Sequence, residues 1–513
     1  MTRYRPVRGA RGAIVAGHPL AVAAGLRILD RGGNAVDAAI AAAAAAAVVR
    51  PHMCGLGGDG FLLVWDARAG RATAVNAGGP APAAASPDGF PGGIPDRGPR
   101  VSTVPGIVDG WGRAWERFGS LPWGELLGPA IELAERGVPV YESLAAWIRH
   151  YRTKYAADPE CARTLLPAGR PPEPGELLVQ RDLAGSLRLI AKNGAREFYE
   201  GELAHAYARH MRAAGGLTTA GDLEAYAASL AEPVSGPYRG HVVLSQPPMS
   251  QGWMLVQMLG ALEARDLAAL GAGSGPAVAA QVAAVVRAFA DRDRLFGDPR
   301  FVGFELAQVL RRAGGDTTSL SVVDALGNAV SMIQSLWVDA GVMVPGTGIL
   351  LNARLNSQTV TPGHPDCVAG GKTPVYTMHT FMVTRAGALV ALGGTPGGHS
   401  QVQTNLQVVT NLLDFGMSAQ EAVEAPRFVA GGALHVGATA AVALEGRVAE
   451  ATAAALAAAG SEVTRLPDWA ELNVEGASLV TVGSAKLITL DPATGARALG
   501  VDPRRDAHGA VTA

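Results

Sequence analysis

The chain of 513 residues is 48% hydrophobic and sets 43 basic against 45 acidic side chains, for a net charge of −2. That composition supplies a large core and excludes a disordered chain, and the lack of any long run of like charge argues against nucleic acid or an anionic membrane as partner. A small molecule is the expected partner. Cys54, Cys161 and Cys367 lie far apart without metal-like spacing, so neither a zinc site nor a disulfide framework is expected.

The basic N-terminal dozen is not followed by an apolar run with a small-residue cleavage site, which makes the cytoplasm the expected location. Alanine-rich helices are predicted over residues 21–30 and 35–49, separated by the glycine break Gly32-Gly33-Asn34. The second is too short to span a bilayer and reads as a buried helix. A glycine-rich turn then enters a strand ending near Trp65, with residues 72–76 as its hairpin partner. Residues 77–100 form a long Gly/Pro/Ala connection of the kind that more often serves function than decoration.

From Gly106 to about Arg312 the periodicity is mainly helical, with amphipathic stretches at 123–136, 183–193 and 281–293. Within it, residues 242–252 read as a strand running into a Pro-Gly turn, a candidate wall of a site. After Asp316 the pattern alternates over 317–323, turns at Asp324-Ala-Leu-Gly-Asn328, and alternates again over 329–338, the mark of a hairpin. Further strands are predicted at 377–384, 389–392 and 479–490, and helices at 401–413 and 447–459. This segregation predicts an α+β sandwich.

Gly315-Asp316-Thr317-Thr318-Ser319-Leu320-Ser321-Val322-Val323-Asp324, followed by Gly327-Asn328-Ala329-Val330-Ser331, resembles the processing site of the γ-glutamyltranspeptidase family. Further landmarks stand in that family's order, among them Asn34-Ala-Val-Asp37, Gly55-Leu-Gly-Gly58, Gln246-Pro-Pro-Met-Ser-Gln-Gly252, Gly348-Ile-Leu-Leu-Asn352 and Leu392-Gly-Gly-Thr-Pro-Gly-Gly-His399. The resemblance implies a four-layer αββα sandwich of the N-terminal-nucleophile hydrolase type. It also implies self-cleavage between Asp316 and Thr317, giving fragments 1–316 and 317–513 that stay together as one interwoven heterodimeric domain. Thr317 would then be the nucleophile, activated by its own α-amine, whose reference pKa of about 7.7–8.0 leaves neutral amine within reach at physiological pH. Gly397 and Gly398 take the places of the backbone amides that hold the oxyanion. No cofactor is called for.

The fittings for a γ-glutamyl head are altered. Gly78 stands where the family has a carboxylate-binding arginine, and Ser357 where it has an acid for the α-amino group. Tyr376 and Thr377 replace a serine pair. Ser335 and Trp337 replace a Thr-x-Asn pair, with Ser335 able to keep the hydroxyl role. The expected activity is hydrolysis of a small-molecule amide that is not γ-glutamyl, with oxamate amidohydrolase slightly preferred over cephalosporin acylase as the altered relative it resembles. A γ-glutamyl hydrolase or transferase, or a non-catalytic binding protein keeping the fold, are the alternatives.

Several residues keep two readings. Arg354 either binds a substrate carboxylate or carbonyl or is a solvated surface arginine, the commoner fate. Trp337, Tyr376 and Met378 line an acyl pocket or belong to the core, and Asp59 binds substrate or stabilises its turn. His379 and His399 are expected to form local hydrogen bonds, since the α-amine already serves as base.

Overall fold

A computed structural model describes residues 2–302, 318–431, 441–469 and 482–512. Asp316 and Thr317, like residues 303–312 of the expected helical region and 479–481 of an expected strand, lie outside them.

Two seven-stranded antiparallel sheets form the centre. In spatial order the first comprises His508–Val511, Ala13–Ala16, Thr318–Val323, Ala329–Ser335, Asp59–Asp66, Arg71–Ala77 and Ser229–Ala231. The second comprises Val7–Gly9, Arg497–Val501, Lys486–Leu490, Ala388–Gly394, Thr380–Arg385, His241–Ser245 and Val234–Tyr238. Strands are named below by their first residue.

Alternation along each strand divides its side chains between two layers of core. Ala13, Val15, Leu63, Val323 and Ala329 meet Met382, Leu392, Ile488 and Leu499 between the sheets. The opposite face of the first sheet, including Leu62, Leu320, Val322 and Met332, packs on helices α1 (Pro19–Asp30) and α2 (Ala35–Val49). The outer face of the second packs on the helices Trp253–Leu262, Gly275–Leu295 and Gln401–Leu413. The result is the expected αββα sandwich.

All fifteen residues of α2 are buried, which explains its composition: a helix enclosed on every side, beside α1 and the first sheet, leaves room for little beyond alanine. Its N-terminus is fixed by a capping box between Asn34 and Asp37. Asp324 ties that end to the Thr318 hairpin by accepting from the Ala35 amide at 3.2 Å while also accepting from the amides of Leu326 and Asn328 in its own turn. No helix among the described residues is long and apolar enough to cross a membrane.

Candidate active site

The Thr318 strand lies mid-sheet, with Thr318 opposite Gln334; the Ala329 strand in turn places Gln334 opposite Gly60 and Ser335 opposite Asp59. Its inward face is made small so that the second sheet can approach. Ser331 Oγ donates to the Gly393 carbonyl across the gap at 3.1 Å, and a Cβ on Gly394 would stand only 3.4 Å from that of Ser319. The entrance to the Thr318 strand therefore abuts the exit of the Ala388 strand.

That exit leads directly into Thr395-Pro396-Gly397-Gly398. Gly397 and Gly398 have φ of +138° and +60°, and a Cβ on Gly397 would come within 2.4 Å of Ser400 Oγ, so a side chain is excluded by conformation and by space. Ser400 fixes the loop by donating its amide (3.0 Å) and hydroxyl (2.6 Å) to the Gly397 carbonyl. Among the described residues, neither the Gly397 nor the Gly398 amide donates to a protein acceptor. The helix Gln401–Leu413 begins immediately afterwards, adding the positive end of its dipole.

Beside this loop a cleft of ≈ 550 Å³ is lined by Trp337, Ser357, Thr377 and His399, among others. Ser335, 1% exposed, accepts the Trp337 amide at 2.7 Å and so holds Trp337 in a left-handed conformation, φ +66°. Ser357 Oγ donates to the Arg354 carbonyl at 2.8 Å. Gly78 opens instead onto a separate cleft of ≈ 840 Å³.

Between the two clefts stands a stack that the sequence did not disclose. The Tyr376 ring fills the space over Gly78, where a Cβ would meet it at 2.7 Å, and its hydroxyl donates to the Gly79 carbonyl at 2.8 Å. The Arg354 guanidinium lies 4.7 Å from the Tyr376 ring and 4.8 Å from that of Trp337. It also pairs with Asp59 at 3.6 Å. Arg354 is fully buried, so the reading of a solvated surface arginine is wrong; two aromatic faces and a buried carboxylate hold it inside. Asp59 is likewise buried and accepts from the Gly79 amide at 2.9 Å. Burial pushes its carboxyl up to about 7, against the opposing pull of Arg354 and the Gly79 amide. Tyr376 and Met378 belong to the core, whereas Trp337 is partly exposed and faces the cleft.

His379 is buried and its imidazole is pushed down to about 4 by desolvation. Asn405 Nδ2 donates to its Nε2 at 2.9 Å, leaving Nδ1 to donate toward the Thr377 carbonyl at 3.4 Å. His399 Nδ1 accepts from Arg292 at 3.2 Å, because a guanidinium can only donate. Both histidines thus make the expected local bonds. The cleft also contains Gln251, Arg292, Asp293 and Asp366. Gln251 lies in the turn expected to be a site wall, but nothing in the sequence linked the acids and Arg292 to it. Among the described residues no cluster of three or more His, Cys, Asp or Glu side chains offers a metal site.

The sequence profile described as gamma-glutamyltranspeptidase matches residues 21–313 and 306–512. The chain belongs to the γ-glutamyltranspeptidase family. It is 38% identical over 505 residues to the acylase ACY 1 proenzyme of Pseudomonas sp. (strain V22), covering 90% of this chain and 89% of that one. It is 35% identical to the glutathione hydrolase-like YwrD proenzyme of Bacillus subtilis (strain 168), over 98% of each. Among solved structures, the cephalosporin acylase from Bacillus halodurans superposes with a TM-score of 0.92 at 31% identity, covering 100% of this chain and 98% of that one.

Proposed function

We propose that the protein is a self-cleaving amidohydrolase with Thr317 as its N-terminal nucleophile. The observation that supports this best is the approach of the Thr318 strand to Gly394. Thr318, next in sequence to the proposed nucleophile, opens that strand at the end of the sheets where the Ala388 strand leads into Gly397–Gly398. In maturation the Thr317 hydroxyl attacks the Asp316 carbonyl, the amide becomes an ester, and water opens it to a carboxylate and a free α-amine. The fragments remain joined, since the Thr318 hairpin is flanked by the Ala13 and Asp59 strands from the other side of the cut.

In turnover the α-amine takes the Thr317 hydroxyl proton while Oγ bonds to the substrate carbonyl carbon. The Gly397 and Gly398 amides hold the resulting oxyanion, each such donor being worth about 3–4 kcal/mol of barrier. The proton passes to the leaving amine as the C–N bond breaks. Water then adds to the acyl ester by the same route and releases the acid.

A cleft of ≈ 550 Å³ suits an acyl group larger than that of oxamate, and the acylase relatives favour the same reading. A γ-glutamyl donor is the second reading, favoured by the carboxyls of Asp293 and Asp366 in the same cleft as Ser357, where they oppose an ammonium group. The test is release of p-nitroaniline from alkanoyl and γ-glutamyl anilides by processed protein. Alkanoyl turnover that falls at least ~10²-fold in Gly397→Ala supports the proposal. Faster release from the γ-glutamyl anilide selects the second reading, and release from none, with no acylation of Thr317, leaves a binding protein.

A further inference from the structure

Two polar side chains in the cleft wall are buried without partners among the described residues. Gln251 is 0% exposed, and among the described residues neither its Oε1 nor its Nε2 finds a hydrogen bond; Thr377, 3% exposed, leaves Oγ1 equally unmatched. Such groups normally destabilise a fold, so their persistence beside a cavity points to a ligand that completes them.

The backbone holds Gln251 firmly. Its amide donates to the Tyr376 carbonyl at 3.0 Å, and its carbonyl accepts from Met254 at the start of the helix Trp253–Leu262. Gln251 is thus tied to Tyr376, the residue that precedes Thr377 and backs Arg354. The wall is anchored to the site, while its side-chain amide is left for something else.

The chemistry of that amide narrows the ligand. It presents one acceptor and one NH₂ donor, and both are unmatched among the described residues. A carboxylate only accepts and would leave Oε1 unsatisfied; an ammonium only donates and would leave Nε2 so. Nearby charges reinforce the choice. Arg292, the guanidinium lining the cleft, is already engaged by Asp293 at 2.6 Å, which disfavours a further anion. A primary carboxamide both donates and accepts, and pairs with another amide through two N–H···O bonds.

We propose that Gln251 and Thr377 form the specificity element for the acyl group, and that the acyl chain ends in an uncharged carboxamide. This rests on the amidohydrolase reading, and the experiment separates the two. Processed protein is assayed with p-nitroanilides of succinamic, glutaramic and adipamic acids, with the matching half-acids and ω-amino acids, and with plain alkanoyl chains of the same lengths. At one length the carboxamide is expected to lead every counterpart at least tenfold in kcat/KM. Gln251→Met should erase its lead over the alkanoyl chain. Gln251→Glu, which only accepts, should transfer the preference to the ammonium-ended chain, an outcome that a purely structural glutamine would not give. Calorimetry with glutaramide and glutarate reads the same element without turnover: glutaramide should bind more tightly, and the difference should vanish in Gln251→Met. Preference for the half-acid or ammonium chain in wild type overturns the proposal, as does a carboxamide preference unchanged in Gln251→Met. If no anilide is cleaved but glutaramide binding depends on Gln251, the hydrolase reading fails and the carboxamide site stands.

Discussion

Replacing Arg354 by methionine keeps most of the stem between Trp337 and Tyr376 while deleting the charge that faces Asp59. At 3.6 Å and an effective dielectric of about 20, that pair is worth about 4–5 kcal/mol. Losing one member of a buried pair typically costs about 3–5 kcal/mol. The cost should depend on pH, with a sign fixed by Asp59. Its carboxyl already titrates at about 7, above its unfolded value, so its contribution is fully present below about pH 4 and lost as pH rises to 7. Without Arg354 the folded value climbs further and the loss continues at higher pH. If it passes 8.5, the gap between variant and wild type widens by about 2 kcal/mol from pH 5.5 to 8.5, at about 1.4 kcal/mol per pH unit. Urea unfolding of processed protein at the two pH values measures this. Asp59→Asn in the Arg354→Met background should remove the added pH dependence. An equal loss at both pH values would refute the reasoning and leave Arg354 as packing between aromatic rings.

Gly78→Ala should destabilise by about 1–3 kcal/mol, because its Cβ meets the Tyr376 ring at 2.7 Å; Tyr376→Leu should relieve most of that, giving a non-additive double-mutant cycle in thermal unfolding. Asp366, whose carboxyl burial pushes up to about 7, makes wild-type stability fall as pH rises from about 4 to 7. Asp366→Asn should flatten that slope and gain on wild type at pH 8, read from melting midpoints against pH. Asp324→Ala removes acceptors from Ala35, Leu326 and Asn328, and should lower stability by at least about 1.5 kcal/mol in urea titrations.

Much of the fold was legible because the signals are local. The alanine run of α2, the Gly32-Gly33-Asn34 break before it, the alternation around the Asp324 turn and the helix Gln401–Leu413 each announce themselves within a few residues. The site was legible only where a motif marks it, as at Gly397–Gly398. What the sequence missed is long-range. Arg354 looked like a surface cation because nothing near it in sequence shows Asp59, 295 positions away, or the two rings that enclose it. Gly78 read as a lost arginine, but its deeper constraint is the Tyr376 ring in the space a side chain would need. Gln251 stood inside a family motif, yet only burial reveals that its side-chain amide has no partner among the described residues.

The central claim is that the chain cuts itself before Thr317, and intact mass with N-terminal sequencing of freshly purified protein tests it most directly. The expected result is two co-purifying chains, residues 1–316 and 317–513, the smaller beginning Thr-Thr-Ser-Leu, with Thr317→Ala staying as one species of 52.5 kDa. A wild-type chain that stays at 52.5 kDa after prolonged incubation, or a cut whose new N-terminus is not Thr317, would contradict it.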